Sequence, residues 1–146
     1  MSSLCSANAR NDMAFAKRAF LIAGIYGLVV LLPQYLLEAK NGRDFPPAIT
    51  HPEYYYGFIG IAVAWQIAFL VLAKNPIRYR PMMIPAIIEK ATFAIAVGVL
   101  FAHHRVSLPM LGAGFVDLIL GTFFVLAYIW TRRFRPIETA EVHKID

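Results

Sequence analysis

The residues in this sequence that could do chemistry stand where charge is costly. Glu89 and Lys90 lie within RYRPMMIPAIIEKATFAIAVGVLFAHHR (78–105), and Asp117 lies within VDLILG, each surrounded by apolar side chains. In hydrocarbon an isolated charge costs about 2.5 to 3.5 kcal/mol at the centre of a helix, so each needs a partner, water or a headgroup. A carboxylate held in this way can fix helix packing, hold a proton, act as an acid or base, or bind a ligand. A helix rises about 1.5 Å per residue, which puts Gln66, Glu89, Tyr26 and Thr122 at similar depths, roughly 10 to 13 Å from the basic ends of their segments. Asp117 comes out deeper, at about 20 Å. Side chains lean towards the N-terminus of their own helix, which aims Asp117, Gln34, Tyr35 and His103 towards one another from different segments, with Tyr55 or Tyr56 beside them. The candidate ligand-binding residues are therefore Asp117, Gln34, Tyr35, His103, Glu89 and Gln66. The competing expectation is structural: Glu89 paired near Arg78 and Arg80, Lys90 reaching back to the headgroups, and Asp117 in a buried hydrogen bond.

Other chemistries find less support. His51, Glu53, His103 and His104 are the available metal-type donors, but neighbouring histidines on a helix diverge by about 100 degrees, and no metal site is expected. A bis-histidine haem would need histidines well inside the spans, which the sequence does not offer. Gly112 to Gly114 reads as a close helix contact and not as a phosphate loop. Cys5 is the single cysteine, so no intrachain disulfide forms, and no activated serine or cysteine constellation is present. No catalytic residue is assigned.

The elements that must carry these groups follow from composition. Of 146 residues, 59% are hydrophobic and only 16% charged, which is the balance of a membrane protein. Four apolar runs are each long enough to span, giving an all-α fold: a four-helix transmembrane bundle in a single domain, 1–146. The helices are expected at about 13–38, 53–73, 81–102 and 109–130, between polar tails at 1–12 and 131–146. The first run has about 19 apolar residues, more than the roughly 7 to 15 of a cleaved signal, so it is read as a permanent helix. Pro33 should kink or loosen its far end. Residues 39–52 contain Gly42, Pro46, Pro47 and Pro52 and are expected to form a long loop. Tyr54, Tyr55 and Tyr56 suit the headgroup level. The net charge of +5 lies at the ends of apolar runs with no aromatic-interleaved patch, so no nucleic-acid partner is expected. Ten of the 14 Lys and Arg residues flank one side: Arg10, Lys17, Arg18, Lys74, Arg78, Arg80, Arg132, Arg133, Arg135 and Lys144. By the positive-inside rule both termini are cytoplasmic, in a multi-pass protein of the bacterial inner membrane.

The segment Ala23 to Gly27 (AGIYG), the late acid in Val116 to Gly121 (VDLILG) and four spans with both ends inside resemble the small bacterial four-helix membrane proteins grouped as DoxX-like. Some members of that group are associated with quinone-linked oxidation. The stretch Arg80 to Lys90 is faintly similar to the EXPERA group of four-helix sterol isomerases and binding proteins, although the acidic pair of their early helices is absent. The leading expectation is a non-enzymatic membrane protein, an accessory subunit or a binder of a small hydrophobic ligand such as a quinone or lipid. The alternative is a membrane-embedded isomerase or oxidoreductase using Glu89 or Asp117 as acid or base. No cofactor is expected other than a quinone or lipid as the bound molecule, and the expected partners are the lipid bilayer and either further copies of the chain or a larger membrane complex.

Overall fold

The computed structural model describes residues 2–133, with side chains from Arg10 onward; Cys5 as a side chain, Arg135, Lys144 and most of the charged tail lie outside the described residues. The described chain is all-helical. Its helices are α1 (Ser2–Leu31), α2 (Glu38–Asp44), α3 (Pro52–Lys74), α4 (Met83–Ala102) and α5 (Leu108–Thr131). Four segments are long and apolar enough to cross a membrane: Arg10–Leu36, Pro52–Lys74, Arg80–Ala102 and Leu108–Thr131. Their outward faces carry large apolar side chains such as Val29, 68% exposed, and Ile95, 65% exposed. Water would penalise that surface on every helix, whereas lipid does not, and the chain is a multi-pass integral membrane protein on this ground.

Prolines set most of the boundaries. Pro33 has no N–H to offer the Val29 carbonyl, and α1 ends at Leu31 before a 3₁₀ turn, Leu32–Leu36. Pro52 opens α3, and Pro109 sits in the first turn of α5, where a missing N–H costs nothing. At the other boundary of α4, His104 has φ 55°, and the amides of His104 and Arg105 bond to the carbonyls of Phe101 and Leu100. These are the paired bonds of a Schellman ending, with a histidine in the left-handed position that usually takes glycine.

Two sequence expectations change here. The loop expected from residue 39 contains a helix, α2, because Glu38 opens it, Arg43 closes it and Lys40 pairs with Asp44 one turn on. The start of the chain, expected as a polar tail before a helix from about residue 13, continues α1 back to Ser2.

Packing is uneven along the bundle. α1 lies against α3 and α5, α4 lies against α5, and α3 and α4 barely meet. The dense part is the half holding the start of α1 and the end of α5, where Phe15 and Trp130 meet edge-on at 4.8 Å. Its centre is Phe20, Phe69 and Phe124, all fully buried, with Phe20 stacked on Phe124 at 4.2 Å and Phe69 edge-on to Phe124 at 5.0 Å. Ala16, Ala86 and Ala127 let the backbones approach around these rings.

Candidate functional site

Above the phenylalanine cluster, towards the middle of the bundle, the four long helices part around a cavity of about 420 Å³. It takes Tyr26, Gly27, Val30 and Leu31 from α1; Phe58, Ile61, Ala62, Trp65 and Gln66 from α3; Glu89, Lys90, Thr92 and Phe93 from α4; and Ala113 and Asp117 from α5. Along one side it is bounded by α3 and α4, neighbours that make little contact with each other. Lys90 lies ten residues beyond Arg80, about 15 Å by helical rise, which is half the thickness of a ~30 Å hydrocarbon core.

Lys90 is 5% exposed and forms the floor. Its Nζ donates to both oxygens of Asp117 at 3.2 Å and to Glu89 Oε1 at 3.4 Å, and it stands 5.4 Å from the centre of the Phe69 ring. Glu89 Oε2 is 3.3 Å from the same nitrogen without a hydrogen-bond angle, and it is a buried oxygen with no donor among the described residues. Three ammonium hydrogens thus face four carboxylate oxygens, and one oxygen is left over.

Gln66, only 2% exposed, crosses towards α1. Its Nε2 donates to the Ala62 carbonyl at 3.0 Å. Its Oε1 occupies the space that a Cβ on Gly27 would fill, so the glycine is what admits this amide to the cavity wall. Gly121 does the same for Lys90, whose Cβ would lie 3.2 Å from a side chain placed there.

The six residues singled out by sequence fall into three places. Asp117, Glu89 and Gln66 line the cavity. Gln34 and Tyr35 belong to a separate cluster at the other end of α3. There the Tyr55 hydroxyl donates to the Gln34 carbonyl at 2.8 Å, and Asn41 donates to Gln34 Oε1 at 2.7 Å and to Tyr55 at 2.8 Å. Tyr35 stacks on Tyr56, which donates to Glu38 at 2.7 Å. These bonds tie the 3₁₀ turn and α2 to α3. His103 caps α4 and is exposed.

Lys90 was the residue that depth arguments misdirect. The structural expectation sends it to the headgroups; instead it stays inside, where among the described residues it is the cation bonded to Asp117, and its long stem lets one ammonium meet both acids. Arg80, the expected partner of Glu89, instead donates to the Tyr128 carbonyl at 3.2 Å and covers that ring at 3.9 Å.

A second hollow of about 610 Å³ on the outer side of α4 and α5, among Ile95, Gly98, Leu111, Gly112 and Phe115, holds no titratable side chain. Among the described residues no three His, Cys, Asp or Glu side chains gather closely enough to hold a metal ion. Profiles of known protein families, curated proteins and solved structures give no match to this chain.

Proposed function

We propose that the protein is a membrane-embedded binder of a small hydrophobic ligand, a quinone or a lipid, taken from the bilayer into the cavity above Lys90. The observation that carries this reading is an apolar-walled space with a single buried polar floor, of about 420 Å³ and within the roughly 300 to 1,000 Å³ range of small-molecule sites. Apolar walls supply affinity, and the Lys90, Glu89, Asp117 and Gln66 groups fix one end of the ligand. The weak α3–α4 seam offers the path by which a lipid-dissolved molecule would arrive. Kinship with DoxX-like proteins is part of the same proposal. It gains meaning from the positions of its two segments, since Gly27 and Asp117 both border the cavity.

The test is mass spectrometry of what leaves the membrane with the protein. Wild type purified in mild detergent should retain one apolar small molecule in near-stoichiometric amount. Ala113→Phe, which adds a ring to an exposed cavity-lining position, should lower that ratio at least about tenfold while the unfolding temperature stays put. Identical extracts from both proteins would refute ligand binding in this cavity.

A further inference from the structure

The floor of the cavity also selects the head of its ligand, an inference that rests on the proposed binding function. Two carboxylates face one ammonium, so the cluster carries one acid more than its base can balance. The imbalance has a location. Asp117 has Lys90 on both oxygens, whereas Glu89 has it on one, and Glu89 Oε2 is buried without a donor. Lys90 has no further hydrogen to give, Gln66 Nε2 gives one of its two hydrogens to the Ala62 carbonyl, and none of the other donors on the lining, Trp65 and Tyr26 among them, bonds Glu89 Oε2. What remains at Glu89 itself is acceptor capacity on a buried oxygen, and a ligand head that reaches it must bring the hydrogen. Glu89 borders the cavity with 21% of its side chain exposed, and the terminal torsion of a glutamate is broad enough for either oxygen to turn towards a ligand.

We infer that the site takes an uncharged amphiphile whose head donates a hydrogen bond, a hydroxyl group aimed at Glu89, and that it rejects anionic heads. An acceptor-only head, such as a ketone or an oxidised quinone, would place lone pairs against lone pairs and leave the Glu89 oxygen still unpaired. A carboxylate head would add a second excess negative charge in a low-dielectric space. Of a quinone couple, the hydroquinone form is therefore the better ligand. An alkanol-type lipid has the same head chemistry.

The experiment uses the full-length protein in detergent and matched probes that differ only at the head. Binding of 2-dodecanol, 2-dodecanone and dodecanoate is measured by native mass spectrometry, as is binding of a decyl-substituted hydroquinone and its quinone under anaerobic conditions. The hydroxyl member of each pair should bind at least about tenfold more tightly, the usual worth of a hydrogen bond to a charged group. Dodecanoate should bind most weakly of the alkyl set. The tighter of hydroquinone and alkanol identifies whether the occupant is a ring or a chain. In Glu89→Gln, which gains a donor and loses the charge, the preference within each pair should fall towards unity. Equal binding of alcohol and ketone, or of dodecanoate and alcohol, overturns the inference while leaving ligand binding intact. Failure of every probe to bind overturns both.

Discussion

Removing Lys90 and neutralising Asp117 are unequal changes, although each deletes one charge from the same cluster. Asp117→Asn leaves Lys90 facing Glu89 alone, a balanced pair at 3.3 Å that keeps its ammonium buried and partnered. Lys90→Met leaves two carboxylates in a dry floor with nothing to offset them. Breaking a buried ion pair from one side typically costs about 3 to 5 kcal/mol, whereas losing one hydrogen bond to a charged group costs about 1.5 to 3. Thermal unfolding in detergent should therefore rank wild type first, Asp117→Asn second and Lys90→Met well below both. A Lys90→Met protein as stable as Asp117→Asn would mean that the cluster is hydrated and not buried. Glu89 and Asp117 were legible in the sequence as acids out of place, since their apolar neighbours are visible in any reading. Their common partner was not, because depth counted along each helix locates the Cα atoms and misses the reach of a lysine stem.

At the scale of the elements, the same point applies to close contacts between helices. The sequence reads Gly112 to Gly114 as a close helix contact, and small residues recur in Ala23 to Gly27 on α1 and at Gly121 on α5, but composition does not grade these glycines. The structure does. A Cβ at Gly24 would sit 2.9 Å from the backbone carbonyl of Gln66, an atom that cannot rotate aside, while Cβ atoms at Gly98 or Gly112 would meet nothing within 4 Å. Gly24→Val should force α1 from α3 and cost about 1 to 3 kcal/mol, the usual range for overpacking. Gly98→Ala should be neutral or slightly stabilising, because it removes backbone freedom without a clash. Thermal unfolding of the two variants checks this, and a Gly24→Val protein as stable as Gly98→Ala would show that the α1–α3 contact is looser than the bond lengths here imply. The helix boundaries follow a similar division. Pro33 states in the sequence that α1 must change; α2 beyond it has local support in Glu38, Arg43 and the Lys40–Asp44 pair, but its docking through Asn41 to Gln34 and Tyr55 is a contact between segments that no local pattern reveals.

For the whole molecule, four long apolar runs were enough to establish helices that cross a membrane, since hydrocarbon leaves backbone polar groups no alternative to internal pairing. The order of helices around the bundle was not legible, because all four spans have the same apolar composition and neighbours are chosen by small residues and aromatic contacts. That order is what leaves α3 and α4 in slight contact beside the cavity, where the proposed path from the lipid lies. Orientation across the membrane, expected from the sequence with both termini cytoplasmic, is a proposal that rests on charge. The turn holding Lys74, Arg78 and Arg80 lies at the same end as Arg132 and Arg133, as the contact of Arg80 with Tyr128 requires, while Arg105 is at the opposite end beside the exposed Ser107. Lys and Arg near short loops are retained on the cytoplasmic side, and the proposed orientation therefore has the first group inside. In a Cys5→Ser background, Ser107→Cys should react with a membrane-impermeant maleimide on intact cells, and Lys74→Cys should react only after the membrane is opened. Both positions are exposed, so a missing reaction reports sidedness and not burial. The reverse pattern would invert the protein, with its dense phenylalanine-packed half towards the outside and the Tyr55 cluster inside; the cavity, near the midplane, would keep its access from the lipid in either case.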